Sequence, residues 1–487
     1  MNPIAAFRRL LLGPALLATL VAGSARSQSF QPGDLVLVSQ GLTINGSFAS
    51  SGVVRIRPCA GTADLVLQLQ GLFGSYSAFD AFRGGVVLGG LMPGTLSGGE
   101  ILVVKADGTF DKTGVSAGGI ECIAAAGDGR VYLVRTGGSM RFIEYLDAAN
   151  VTHNVLDASG SAPFAFVCCG VESPAFFDAA SNALWFGSFE SGAACGFGFT
   201  TSRVIKVPLT PDGSQVAGPI QTATICPAAA TNTAGVVNLS VGPGNTLLAV
   251  LDDNSNGAVG RMVTIDRTTL AVSSYAANGS YVGAAATNAG AFSHMLGRAV
   301  ILDTFNDTLR IFGAGETGGG TPWISGPPLS GNGGSGELAF LIEVPSAVAS
   351  GLAPYGTGTP GCAGAHALFA SQTPKVGAAD FRFTCTAAPP SALGLLIVGD
   401  VPNVAGVDLF GLGFLLHVDL LTSTFLTGLD VDANALGVAQ SPAPIPIQPT
   451  FVGATIDAQA LWVWSGCATP SPFGVSTSNG LAVTFQN

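Results

Sequence analysis

Short segments in which apolar and polar residues alternate recur along most of this chain. The clearest are Val53-Val54-Arg55-Ile56-Arg57-Pro58, Ile101 to Lys105, Phe142 to Asp147, Arg203 to Pro208, Met262 to Asp266 and Thr308 to Phe312. A period of two sends successive side chains to opposite faces of a strand. These segments lie 41 to 61 residues apart, a spacing of sheet-sized repeats. Upstream of each is a more uniformly apolar run: Leu35 to Val38, Val86 to Leu88, Val131 to Val134, Leu184 to Phe186, Leu247 to Leu251 and Ala299 to Leu302. Turn residues stand between, as at Asp107-Gly108, Asp128-Gly129, Asp212-Gly213 and Pro243-Gly244-Asn245, where a positive φ suits glycine. Helical patterns of ten or more residues are almost absent after the N-terminus. The pattern is that of an all-β protein.

Six strand pairs predict six units of four strands, a six-bladed β-propeller over residues 28–350. The first unit lacks an innermost strand, and Glu337 to Val344 follows the sixth as a lone alternating segment. It is placed to fill the gap and close the ring, which removes free sheet edges. The spacing is too long for a β-helix, and one β-sandwich would not need so many strands. Beyond Pro345 to Pro354 the repeat stops. Strands at Phe381 to Cys385, Ala392 to Val398, Leu412 to Leu416, Ala460 to Trp464 and Leu481 to Phe485, separated by proline-rich stretches, predict a small C-terminal β-sandwich over residues 351–487.

The first 27 residues change the picture of where the chain works. Arg8 and Arg9 precede an apolar run from Leu10 to Gly23, and Ala25 and Ser27 are small residues ahead of Gln28. That order predicts a cleaved signal peptide and export to the periplasm, cell surface or exterior. The apolar run is too short for about 30 Å of hydrocarbon, no Cys follows it, and no later segment reads as a membrane span. Glycine is 68 of 487 residues and charged residues are 10%, which suits many tight turns between short strands. Loss of Arg8, Arg9 and Arg26 with the signal leaves 16 basic against 30 acidic residues, a net −14. Such a surface repels phosphate backbones and argues against nucleic-acid binding. Nine cysteines in an oxidising compartment predict disulfides, with Cys168, Cys169, Cys195, Cys226, Cys362 and Cys467 as candidates. An odd count leaves at least one unpaired within a monomer, the expected state.

Strand–turn–strand units such as Ala126-Gly127-Asp128-Gly129-Arg130-Val131-Tyr132-Leu133 resemble those of NHL and SMP-30-like propellers in exported bacterial proteins. The C-terminal region resembles a segment recurrent in large exported proteins of planctomycete bacteria. The matching stretches are YGTGTPGCAG (355–364), AAPPSALGLLIVG (387–399), DANALG (432–437), PIPIQP (444–449) and TSNGLAVTF (477–485). This resemblance implies an accessory module, for surface retention or secretion, with no established chemistry. The propeller resemblance implies a central funnel, which in the SMP-30-like lactonases holds a divalent ion on acidic and amide ligands.

Candidate funnel residues at inward strand ends are Asp80, Glu121, Glu172, Asn238, His294 and Glu337. They fall at no single repeated register. The four histidines are far apart and form no HExxH or paired pattern. Gly114-Val115-Ser116-Ala117-Gly118 matches G-x-S-x-G, but glycine and a strand follow it where the nucleophile elbow needs a helix. Asp252, Asn254 and Asn256 alternate as in a calcium loop, although position 12 is Val263 and not the closing Glu. Asp430, Asp432 and Asn434 alternate likewise in the C-terminal region. Ca²⁺ is therefore the one cofactor the sequence offers, on incomplete oxygen shells. The first reading is an exported, non-catalytic propeller binding a small molecule, glycan or protein. A metal-assisted hydrolase or lactonase working in the funnel is the alternative, and an extracellular scaffold joined through an unpaired Cys is a third.

Overall fold

The computed structural model describes residues 29–40, 43–69, 77–90, 99–156, 175–191, 199–226, 235–252, 261–276, 289–303, 308–326, 329, 339–344, 351–464 and 474–486, apart from short gaps within these spans. The candidate signal lies outside them. Among the described residues the chain is strands and turns, with one 3₁₀ turn at Pro449–Phe451 and no helix long and apolar enough to cross a membrane. It divides into two compact units, Gly33–Pro345 and a C-terminal one from Ser346 to Asn487 that also takes in the residues before Gly33.

In the first unit the described strands form six four-stranded antiparallel sheets and a small hairpin, Thr43–Ile44 with Ser47–Phe48. Five are chain-consecutive meanders over residues 77–116, 120–156, 176–226, 235–274 and 289–325. The remaining one takes its inner strand from the far end of the unit. Ala339–Glu343 runs antiparallel to Leu35–Gln40 from Leu35 opposite Glu343 to Ser39 opposite Ala339, and Ser51–Arg57 and Thr62–Leu69 follow. We number this sheet first and the others second to sixth. The inner strands Ser77–Asp80, Ile120–Ala125, Phe176–Asp178, Gly235–Val241, Ala289–Ser293 and Ala339–Glu343 each touch the one before and the one after, and the last touches the first. This is an all-β, propeller-type arrangement.

The apolar runs read from the sequence are the second strands of these sheets and the alternating segments are the third. Second strands lose alternation because both of their faces are covered. Val87, Ile101 and Val103 of the second sheet pack with Ile123, Val131 and Leu133 of the third. Tyr132 and Ile143 meet Phe177, Leu184 and Phe186 of the fourth, whose opposite face sets Trp185 and Val204 against Leu239, Leu247 and Leu251 of the fifth. Leu248 and Val250 then meet Phe292, Ala299 and Ile301 of the sixth. Outer strands such as Phe110–Ser116 are mostly exposed.

In the C-terminal unit one sheet runs Leu352–Tyr355, Gly480–Thr484, Thr455–Val463, Leu393–Gly399, Leu426–Asp430, with Val475–Thr477 also on Thr455–Val463. A three-stranded sheet, Ala367–Ala370, Arg382–Thr386 and Ala439–Pro442, shares a core with it. Phe381, Phe383, Leu396, Val398, Val431, Trp462, Leu481 and Val483 form its body. The strand expected at Leu412 to Leu416 lies later, at Leu416–Val418. Gly411 and Gly413 sit at φ 64° and 78°, which breaks the extended conformation the apolar pattern suggested.

The closing strand supplies the first prediction. Leu341 is 1% exposed at the junction, so Leu341→Ala should cost about 2–5 kcal/mol of stability in urea unfolding. Val151→Ala, at a site 52% exposed, should stay within about 0.5 kcal/mol. Similar small losses for both would show that the closing strand does not stabilise the unit.

Candidate functional site

The inner strands end at turns, and those turns join the sheets in pairs. Asp80 ends its strand fully buried, accepts the Phe82 N–H at 3.0 Å and pairs with Arg83 at 2.6 Å. Arg83 reaches on into the third sheet, donating to the carbonyls of Gly129 and Asp147 at 3.0 and 2.6 Å and to Asn150 Oδ1 at 3.2 Å. Asp178 ends the fourth sheet's inner strand and pairs at 2.9 Å with Arg267, from a turn of the fifth sheet. At the sixth sheet the matching turn carries His294, whose Nδ1 lies 2.6 Å from Glu343 Oε2 on the closing strand. Glu343 Oε1 also accepts the His294 N–H at 2.6 Å. Second is thus clasped to third, fourth to fifth and sixth to first, twice by arginine and once by histidine.

A signal for this was present in the chain. Ala78-Phe79-Asp80, Phe176-Phe177-Asp178 and Ala291-Phe292-Ser293 end the inner strands of alternate sheets, and each leads into a four-residue turn. The third and fifth sheets turn differently, closing with Ala126 N–H to Arg130 O and Gly242 N–H to Thr246 O. Comparing every unit with the next hides this alternation of two turn types.

Several other acids sit in turns. Asp107, Asp147, Asp212 and Asp266 each accept the N–H two residues on, at 2.9–3.1 Å. Hydrogen bonds to the charged form hold these carboxyls below their ordinary range. Asp212 is pulled to about 2, first by the Thr210 hydroxyl and then by Ser214. These are Asx turns, the physical content of the x-Asp-Gly signal. Asp432 and Asn434 serve similarly in the C-terminal unit, on the N–H groups of Gly394, Leu436 and Val438.

The other candidates divide between described and undescribed positions. Glu121 is the extra residue of a β-bulge in Ile120–Ala125 and is half-buried. Asn238 follows a bulge at the matching place in Gly235–Val241; its side chain is fully buried, and neither Oδ1 nor Nδ2 has a hydrogen-bond partner among the described residues. Asp252 ends Thr246–Asp252 opposite Gly235. Glu172, Glu337, Asn254, Asn256, Cys168, Cys169, Cys195, Cys362 and Cys467 lie outside the described residues. Cys226 ends the strand Gln221–Cys226. Among the described residues there is no disulfide, and Cys385 is a buried free thiol whose pKa burial pushes well up. Ser116 sits on an outer strand, its Oγ accepting the Gly118 N–H at 3.2 Å, with no helix behind it. No group of three or more His, Cys, Asp or Glu among the described residues is placed to hold a metal ion.

In the C-terminal unit the buried histidines are tied to backbone. His417 Nδ1 and Nε2 face the carbonyls of Asn403 and Thr357 at 3.1 and 2.8 Å. Gly356, at φ 64°, lies so close that a Cβ there would come within 2.3 Å of the ring. His366 Nδ1 is 2.6 Å from the Ala387 carbonyl, and burial lowers its pKa. Tyr355-Gly356-Thr357 thus wraps His417, and Asn479 fixes Leu368 through both its backbone N–H and its carbonyl. Several of the stretches quoted for the C-terminal resemblance contribute packing and hydrogen bonds here.

No protein-family model matches the chain, and no curated protein does. Among solved structures it is similar to TolB of Acinetobacter baumannii, at 11% identity and TM-score 0.39, over 60% of this chain and 66% of that one. It is also similar to a periplasmic gluconolactonase of Pseudomonas aeruginosa, at 13% identity and TM-score 0.39, over 63% of this chain and 99% of that one. A gluconolactonase of Xanthomonas campestris matches at 16% identity and TM-score 0.37, over 63% and 90%. At these identities and scores none assigns an activity to this chain.

The histidine clasp makes stability depend on pH. Burial disfavours the charged ring, but the Glu343 carboxylate outweighs it and raises the His294 pKa above its ordinary value. A raised folded value gives stability that is complete below the unfolded pKa, about 6.5, and is lost as pH rises through the folded one. The stability difference between wild type and His294→Gln in urea should therefore shrink from about pH 5.5 to about pH 9. A difference that grows with pH would contradict the assignment.

Proposed function

We propose that the first unit is a six-bladed β-propeller that binds a small polar ligand against its inner strands. We infer an exported chain, cleaved after residue 27, working as a monomer in the periplasm, at the cell surface or outside. Residues 351–487 are read as an accessory β-sandwich of the planctomycete type. The observation that carries the binding role is Asn238, a fully buried carboxamide on an inner strand with neither polar atom paired among the described residues. Buried polar groups are nearly always paired, and an exception marks a place for an outside partner.

Metal-assisted lactone hydrolysis is the second reading, and Glu121 favours it. The bulges of Ile120–Ala125 and Gly235–Val241 fall at matching places, which puts Glu121 one residue before the level that Cys122 and Asn238 share on alternate inner strands. Bulges re-aim side chains and are frequent beside active sites. A divalent ion held there would polarise a lactone carbonyl. Two gluconolactonases are among the similar structures.

One set of measurements separates the readings. Protein purified without added metal is assayed for bound Ca²⁺ and Zn²⁺ and for hydrolysis of glucono-1,5-lactone, before and after chelation. The binding reading expects substoichiometric metal and no turnover above the spontaneous rate. Stoichiometric metal, with turnover abolished by the chelator and lowered about 100-fold or more in Glu121→Gln, would replace it with the lactonase.

A further inference from the structure

Asn238 combines complete burial with two open valences. Among the described residues it is the one carboxamide with both polar atoms unpartnered; the buried hydroxyls of Ser77 and Ser476 are open too, each through a single atom. The neighbours of Asn238 do not supply the missing bonds. Ser240, two residues along on the same face, uses its Oγ to accept the Phe292 N–H at 3.0 Å. Val250, directly across the ladder, is apolar and fully buried. Gly290 on the next inner strand has no side chain, and a Cβ there would lie 2.9 Å from Val250 Cγ2. The bulge between Val236 and Asn238 interrupts the ladder at this point, so the amide projects from a locally distorted strand. At the matching place in the third sheet stands Cys122, also buried.

The surroundings set the chemistry of what can meet this amide. Ser240, Val250 and Gly290 carry no charge, and an ion placed against them would lose its hydration without a counter-charge. A partner must therefore be neutral. It must also present an acceptor and a donor side by side, to receive Nδ2–H and to donate to Oδ1. Building on the ligand-binding reading, we propose that Asn238 is the recognition group for a neutral hydroxylated ligand, held through a vicinal diol or hydroxy-carbonyl edge of a sugar or sugar lactone. The amide donates one hydrogen bond to a ring or carbonyl oxygen and accepts one from an adjacent hydroxyl. A divalent cation fits the site less well, because it would engage Oδ1 and leave Nδ2 unsatisfied.

The test titrates the full chain with D-glucose, D-galactose and glucono-1,5-lactone as neutral probes, and with D-gluconate and Ca²⁺ as charged ones. Wild type is compared with Asn238→Leu, similar in size, and with Asn238→Ser as a second variant should the first not fold. Binding is read by calorimetry and by thermal shift. At least one neutral probe should bind wild type and bind each folded variant at least tenfold more weakly, while gluconate and Ca²⁺ show no dependence on residue 238. Neutral probes binding equally to wild type and variants would overturn the role of Asn238 and leave the ligand-binding reading intact. Binding of Ca²⁺ that is lost in both variants would overturn the neutral class. No binding by any probe would overturn this assignment together with the ligand-binding reading and leave the amide to an ordered water.

Discussion

The antiparallel ladder between Ala339–Glu343 and Leu35–Gln40 joins residues some three hundred positions apart, and the first unit depends on it. Each sheet in the unit hides its apolar second and third strands only because another sheet lies on either side. Closing the circle covers the two faces that an open row would leave bare. Val36 and Leu37 are completely buried at the junction, and Leu341 nearly so. The cost of bringing distant segments together rises only slowly with loop length, so burial at the seam is well placed to offset it.

Charge is placed to serve the same architecture. Arg83 and Arg267 each satisfy a buried aspartate of one sheet while bonding carbonyl groups of the next. An arginine fork suits this task because it offers several donors in a fixed plane. The third clasp falls at the seam and uses His294, so the junction that completes the ring is the one whose charge responds to pH near neutrality. The acids at the turns are occupied by neighbouring N–H groups. A chain with few charges thus uses many of those described on turns and junctions, and Asn238 stands apart because no described polar group pairs with its amide.

The C-terminal unit applies the rule differently. Its polar residues are buried deeply but face backbone: His417 joins the loops at Thr357 and Asn403, and Gln459 accepts the His417 N–H while donating to the carbonyls of Leu415 and Ser478. Asp457 is held near Tyr355, and burial raises the pKa of both groups. Such networks stabilise a particular arrangement of loops. Among the described residues His366 Nε2, Asp457 Oδ1 and Ser476 Oγ stay unpaired there, but no carboxamide has both of its polar atoms open as Asn238 does.

Much of the architecture was legible in the sequence because it rests on local rules. Period-two alternation marked the third strands, continuous apolar runs marked strands covered on both faces, and Asp-Gly pairs marked turns. The spacing of these signals, with the lone segment at 337–344, pointed to a ring closed by its last strand. The site was less legible because it depends on contacts that no local pattern encodes. Asp80 and His294 read as funnel groups from their places in the chain, yet the tertiary structure gives them Arg83 and Glu343 as partners. Asn238 looked no different from the other candidates. Only the packing of the fifth and sixth sheets, which leaves Val250 and Gly290 around it, decided that its amide would be buried with neither atom paired.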